Sequence, residues 1–302
     1  MSLLRPTALL LACALPCLAI AAPSAPAATL AEVLAASSAA DWRRPDPENT
    51  LYMDLPGGRV VIELAPQFAP EHVANIRTLA HARYWDGLAI VRVQDNYVAQ
   101  WGDPEAGNPE HRRAPGEARA RLPAEFERDA ADSGFRRIDS RDAYAPQVGF
   151  VDGFAAARDP ARGKVWMAHC YGLVGAGRDN PADSSNGAEL YAVIGHAPRH
   201  LDRNVTPVGR VLSGIEHLSS LPRGPAPMGF YTDPAQRTPI RSLRLASDLP
   251  ESERLSIEVF RTDTPAFERL VQARRARHEE WFIDPVGRIE LCNVPVPIRL
   301  PQ

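Results

Sequence analysis

Twenty-nine of the 302 residues are proline, and no other feature of this chain limits its fold more. A proline ring fixes φ and removes an amide hydrogen, so it breaks helices and cannot donate to a sheet ladder. Spread along the whole sequence, these residues exclude a helical bundle and predict short strands joined by many turns. The charge balance narrows function. Against 37 acidic residues stand 34 basic ones, a formal net charge of −3, which excludes a polycationic nucleic-acid binder and a polyanion. Lys164 is the sole lysine, so Schiff-base chemistry would rest on one amine and is not expected.

Arg5 is the only charged residue before Glu32, and residues 7–22 are mostly Leu and Ala. That run suits a signal-peptide core and falls short of a membrane span. Ala19 and Ala21 form a small-x-small cleavage pattern. The expectation is a signal peptide over residues 1–21, cut near Ala21, and a periplasmic mature chain. No other segment approaches the ~18 uninterrupted apolar residues of a membrane helix, so no membrane insertion of the mature form is expected. Cleavage would remove Cys13 and Cys17 and leave Cys170 and Cys292. In an oxidising compartment these two are either bridged or a pair of buried thiols, and the sequence leaves both open.

Residues 22–49 read as a linker or extension rich in Ala, Ser and Pro, with a short helical pattern near Leu30 and Leu34. Residues 51–55 and 59–64 flank Pro56-Gly57-Gly58, a strand–turn–strand pattern. A helix is predicted next. Pro70 suits its first turn, Glu71 its N-terminal dipole, and Val73, Ile76, Leu79 and Ala80 share one face. A turn over residues 84–88 leads to a strand with Ile90, Val91, Arg92 and Val93. Residues 104–162 show weak periodicity and read as long loops or an insertion. Strands are predicted at 165–170, 190–194 and 240–245, and a helix at 211–218. Beyond Asp248 the pattern predicts a strand at 255–260, a helix at 265–277 with Phe267, Leu270 and Val271 on one face, and a closing strand at 289–294.

Val91-Arg92-Val93 followed by Tyr97-Val98-Ala99-Gln100-Trp101-Gly102-Asp103 resembles the signature segment of cyclophilin-type peptidyl-prolyl isomerases. The stretches at 69–76 and 84–87 resemble that family's first helix and following turn. Trp166-Met167-Ala168-His169 and then 185–191 resemble its second binding-face segment, and Leu201-Asp202 with 208–211 a third block. The blocks run in the family's order and span about residues 50–247, with extra length near 127–162. The resemblance implies a mainly β fold: an eight-stranded antiparallel barrel capped by two helices. Residues 248–302 lie outside it and read as a small α/β C-terminal extension.

An X–Pro amide turns slowly because its C–N bond is partly double, with a barrier of about 18–20 kcal/mol. Lowering it needs no metal, nucleophile or cofactor, only a pocket for the ring and a donor favouring the twisted amide. The resemblance implies that Arg92 is this donor and that Gln100 bonds the peptide and positions Arg92. It implies that Tyr97, Val98, Tyr191 and Leu201 line the proline pocket, with Glu189 and His200 beside it, and that Ala168 and His169 contact the preceding residue through their backbone. Proline-containing polypeptide segments are the expected partners. Tyr97, Glu189, Leu190, His200 and Val205 depart from the family's usual residues. Two readings follow: an isomerase assisting the folding of exported proteins, or a peptide-binding module with little catalysis. Other constellations carry less. His196 and His200 have zinc-like spacing, but Pro198 separates them and no third ligand completes the set. Gly172, Gly175 and Gly177 do not fit the dinucleotide fingerprint. Arg274, Arg275, Arg277 and His278 read as a solvated helix end.

Overall fold

The hairpin made by β2 (Thr50–Leu55) and β3 (Gly58–Leu64) shows how the chain is layered. Side chains alternate in a strand, so Leu51, Met53, Val60 and Ile62 enter one core while Tyr52 and Val61 enter another on the opposite face. Both faces are buried because a barrel lies on one side and a flanking unit on the other. The computed structural model describes residues 28–300. The expected signal peptide, with Cys13 and Cys17, lies outside the described residues.

The described residues begin with α1 (Leu30–Ala35) and β1 (Trp42–Arg43), then β2, β3, α2 (Pro70–His81), β4 (Ala89–Val93) and β5 (Val98–Gly102). There follow β6 (Arg128–Asp129), β7 (Arg136–Arg137), β8 (Gln147–Val151), β9 (Phe154–Asp159), β10 (Lys164–Met167), β11 (Leu173–Ala176), β12 (Leu190–Val193) and β13 (Pro207–Ser213). The last elements are α3 (Glu216–Ser219), β14 (Thr238–Pro239), β15 (Ser242–Leu245), β16 (Glu258–Phe260), α4 (Pro265–Ala276) and β17 (Ile298–Arg299).

The largest sheet runs β14-β4-β5-β12-β11-β13-β3-β2-β15, antiparallel throughout. Its two outer strands are nearly consecutive in the chain. Between them Ile240 N–H donates to Leu88 O on one side, and Arg241 N–H donates to Asp54 O on the other. The run from β14 to β15 thus serves as one strand, and eight strands close a barrel with no free edge. Trp85 and Trp101 are fully buried in its core. Helix α2 buries the predicted face, Val73, Ile76, Leu79 and Ala80. Its N-cap residue, Ala69, offers no side-chain acceptor. Instead the Glu125 carboxylate accepts from the amides of Glu71 and His72, both at 2.9 Å, satisfying donors that a helix start leaves free.

The second helix is a correction. Residues 211–213 continue β13, where Val211 pairs with Ile62, and only the single turn α3 follows. Gly214 separates the two at φ +82°, and a Cβ there would lie 2.1 Å from Arg59 O. That position demands glycine and ends the strand.

Residues 104–162 hold more than loops. From this stretch and the next come the strands of a five-stranded sheet, β6-β10-β9-β8-β7. Its centre is a hairpin turning at Asp152 and Gly153, with φ of 46° and 86°. Asp-Gly between apolar runs favours that turn, but β6 and β7 are too short for periodicity to show. On one face Phe150, Ala157 and Trp166 pack against α4. On the other Val151, Ala156, Val165 and Met167 pack against the barrel wall beside Val98 and Tyr191.

The two ends of the described chain fold together. β1, β16 and β17 form a three-stranded sheet, and α1 packs with α4 in the core containing Phe267 and Leu270. The extension is therefore not a linker from residue 30 onward. The strand predicted at 255–260 shortens to β16. The one predicted at 289–294 is instead a 3₁₀ turn, Leu291–Asn293, with Pro295 and Pro297 following. That turn carries Cys292, bridged to Cys170 with Cα atoms 5.1 Å apart.

A buried charge cluster fastens the flanking unit to the barrel. Glu63 Oε1 accepts from Arg43 Nη1 at 2.6 Å, and Oε2 accepts from Arg210 Nη2 at 2.9 Å. Arg210 Nη1 donates to Gly153 O at 2.5 Å, and Arg43 Nη2 donates to Asp152 O at 2.9 Å. One carboxylate so joins β1, β3, β13 and the β8–β9 turn.

Candidate active site

Strand β4 pairs with β5 out of step. Ile90 faces Trp101, yet Arg92 faces Gln100, so Val91 is an extra residue in a bulge. A bulge turns the following side chain to a new face, and here it sets Arg92 beside Gln100. On the other side of β5, Tyr191 of β12 pairs with Gln100, and Gly175 of β11 pairs with Tyr191. Arg92, Gln100 and Tyr191 thus stand in one row across neighbouring strands. Gly175 leaves room for the phenol, since a Cβ there would lie 2.3 Å from Tyr191 Oη.

Arg92 is only 9% exposed. Its Nη1 donates to Gln100 Oε1 at 3.1 Å, its Nε donates to Met228 O at 2.6 Å, and its Nη2 donates to Gln94 Oε1. The guanidinium lies over the rings of Phe230 and Tyr97, 5.0 and 5.6 Å from their centroids. Burial draws its pKa down, but a guanidinium stays charged at any physiological pH. Three of its five N–H donors are engaged, which leaves two Nη hydrogens for a ligand.

Gln100 Nε2 donates to Glu189 Oε2 at 3.1 Å. Arginine only donates and a carboxylate only accepts, so both neighbours hold the amide the same way round. Burial raises the pKa of Glu189, against the bond from Gln100, which lowers it; Asp179 and Asp103 raise it further and Arg92 opposes them.

Arg92, Gln100, Tyr97, Val98, Glu189, Tyr191 and Leu201 all line one cleft of about 740 Å³. His200 stands exposed at its rim, stacked on Tyr97 with ring centroids 6.3 Å apart. The turn carrying His200 and Leu201 is anchored by buried Arg199, which bonds Asp142 at 2.7 Å and Asp202 at 2.7 Å.

Ala168 and His169 do not reach the cleft. Ala168 N–H donates to Ala155 O and its carbonyl accepts from Cys170 N–H, while His169 N–H donates to Asp202 Oδ1. Those groups are spent inside the protein and are not free to bind a peptide. His169 instead supports the site from behind. Its Nδ1 lies 3.0 Å from Asp202 Oδ1 and its Nε2 2.9 Å from Tyr191 Oη. Burial pushes the Tyr191 phenol up, so it stays protonated.

Sequence reasoning missed Met228 and Phe230, which also line the cleft; the stretch from Gly177 to Pro181, readable as a loop beside the binding face, lines it as well. Phe230 bridges to Arg92 and Val93 N–H donates to Gly229 O, so the loop is laid along β4 by backbone bonds that leave no side-chain signature. Gly177, Arg178, Asp179 and Glu189 are shared with an adjoining cavity of about 610 Å³, which Tyr84, Asp103 and Arg113 also line.

Comparison with known proteins agrees with this geometry. Residues 50–245 match the family model described as cyclophilin type peptidyl-prolyl cis-trans isomerase/CLD. A probable peptidyl-prolyl cis-trans isomerase of Brucella suis is 28% identical over 206 residues, spanning 68% of this chain and 85% of that protein. The peptidyl-prolyl cis-trans isomerase ppi1 of Schizosaccharomyces pombe is 43% identical over 47 residues, 16% of this chain and 30% of that protein. Among solved structures, the cyclophilin AquaCyp293 from Hirschia baltica superposes with a TM-score of 0.66 at 28% identity. It covers 86% of this chain and 94% of its own. That share exceeds the barrel, so the likeness extends into the flanking unit. A closed eight-stranded barrel, a bulge that aims Arg92 at Gln100, and these matches together make the chain a member of the cyclophilin-type peptidyl-prolyl cis-trans isomerase family.

Proposed function

We propose that the chain accelerates rotation about X–Pro bonds in exported polypeptides as they fold, with Arg92 as the catalytic residue. The pairing of Arg92 with Gln100 beside the Tyr97 and Leu201 cleft carries this reading. Twisting the amide removes conjugation and frees the nitrogen lone pair, which then accepts a hydrogen bond. A guanidinium held by Gln100, Gln94 and the Met228 carbonyl needs no reorganisation to donate it, and the low-dielectric cleft strengthens the interaction. Tyr97, Leu201 and Val205 offer an apolar seat for the proline ring, and the second Nε2 hydrogen of Gln100 is available to a peptide carbonyl. No covalent bond forms or breaks.

The adjoining cavity gives a polypeptide room to continue beyond the ring. The Cys170–Cys292 bridge supports an oxidising compartment, in keeping with the expected leader. Among the described residues no helix is long and apolar enough to cross a membrane. A protease-coupled or NMR-exchange assay on a proline peptide tests the activity. Acceleration by the wild type and its loss in Arg92→Ala are expected; equal rates in the two would overturn the assignment. Export is tested by the N-terminal sequence of the secreted protein, expected to begin at Ala22.

A further inference from the structure

A second cavity, of about 420 Å³, lies where the barrel, the five-stranded sheet and the C-terminal segment meet. It lines none of the isomerase cleft. Its size falls in the usual range of small-molecule sites, ~300–1,000 Å³. The walls are Phe150, Phe154, Met167, Leu173, Val294 and Val296, closed on one side by the Cys170–Cys292 bridge.

Three guanidinium groups border this space: Arg210, already held by Glu63 and the Gly153 carbonyl, and the pair Arg274 and Arg277 from the end of α4. Among the described residues neither has a carboxylate within salt-bridge distance, whereas their neighbour Arg275 pairs with Asp139. Arg274 Nε is buried and has no acceptor. A buried charged donor without a partner is costly, and two like charges side by side add to that cost. The helix dipole offsets part of it but supplies no acceptor to a side-chain N–H. An anion is what the pair lacks.

The remaining walls say what the anion is attached to. Gly153 N–H is taken by Thr262 Oγ1, Ala168 N–H by Ala155 O, and Leu173 N–H by Cys170 O, and Pro295 has none. The polar side chains left in the wall are those of Tyr171 and Asn293, so a peptide would bury more amides than the wall can pair, which is unfavourable; an alkyl chain has no such groups. The segment that follows Arg277 also presents Trp281, Ile283 and Val286 at 81%, 95% and 79% exposure, apolar side chains of the kind that seek lipid.

We propose that this cavity binds a long-chain aliphatic carboxylate of the fatty-acid class, with its headgroup between Arg274 and Arg277 and its chain against Phe150, Phe154 and Met167. Isothermal titration of the mature chain with dodecanoate, below its micellar concentration, tests it. Saturable binding is expected, with dodecanol at least tenfold weaker. Arg274→Gln and Arg277→Gln should each weaken dodecanoate about tenfold, the loss of one charge-assisted hydrogen bond, while isomerase activity is unchanged. Ala155→Leu, which fills the cavity without touching either arginine, should abolish binding. Equal affinity for dodecanol, unaltered affinity in the double arginine variant, or binding only of a free-acid tripeptide such as Ala-Leu-Val would each overturn the assignment.

Discussion

Replacing Glu63 by Gln should destabilise the protein more than any surface change. The Glu63 side chain is 6% exposed and sits between two guanidiniums that are themselves 21% and 14% exposed. In the variant one amide end still accepts, but the other presents N–H to an arginine that also only donates. Removing one partner from a buried ionic cluster costs about 3–5 kcal/mol. At roughly 2–4 °C per kcal/mol for a chain of this order, the melting temperature should fall by about 10 °C. The pH dependence separates this mechanism from simple misfolding. Burial alone would raise the pKa of Glu63, but Arg210 and Arg43 outweigh it and hold the carboxyl below its ordinary 4.5. A depressed carboxyl contributes stability above its unfolded value, and that contribution is lost as pH falls through the folded value. The gap between wild type and Glu63→Gln, measured by urea titration, should therefore be full near neutrality and narrow below pH ~4.5. A loss under about 1 kcal/mol, or a gap that does not change in acid, would refute the ionic account.

Further outcomes follow from the site. Arg92→Ala should lower kcat/KM by about 10²–10³-fold, the usual effect of losing one preorganised donor. Glu189 behaves oppositely to Glu63. Because burial raises its pKa, its ionisation works against folding, so wild-type stability should decline as pH rises from about 4.5 through the raised value, and Glu189→Gln should remove that decline in urea titrations. His169→Phe should shift the Tyr191 ring and raise KM in the peptide assay, since the Tyr191 hydroxyl loses its partner. Reducing the Cys170–Cys292 bridge, or Cys292→Ser, should cost about 2–4 kcal/mol in the same titration, because the bridge closes a long loop.

Much of the barrel was legible because local pattern and final environment agree. The β2–β3 hairpin, the buried face of α2 and the α4 stripe all follow from spacing. Legibility fails where tertiary pairing decides. Val211 and Leu212 have residues at helical spacing around them, yet the ladder to β3 and the left-handed Gly214 hold them extended. Ala155 to Ala157 carry little apolar contrast, so β9 was hidden, although Asp152-Gly153 marked its turn. The cleft divides likewise. Arg92, Tyr97 and Gln100 lie within nine residues and could be read together. Met228 arrives from 136 residues away, through a carbonyl that any residue could supply, and brings Phe230 with it. Ala168 and His169 resemble a binding strand in sequence, but β10 pairs with β9 rather than with the barrel.

The small sheet of β1, β16 and β17 has a bearing on the order of assembly as the chain is synthesised. Trp42 finds its partner only at Phe260, so a chain made from its N-terminus holds this arm unmatched until almost all of it has emerged. The barrel can close first, since β14 and β15 precede that stage. Until the tail arrives, Tyr52 and Val61 face solvent instead of Ile257 and Val259. A prematurely released chain ending near residue 248 would thus carry a finished isomerase barrel with a bare, sticky flank. The last fifty residues act as its built-in cover.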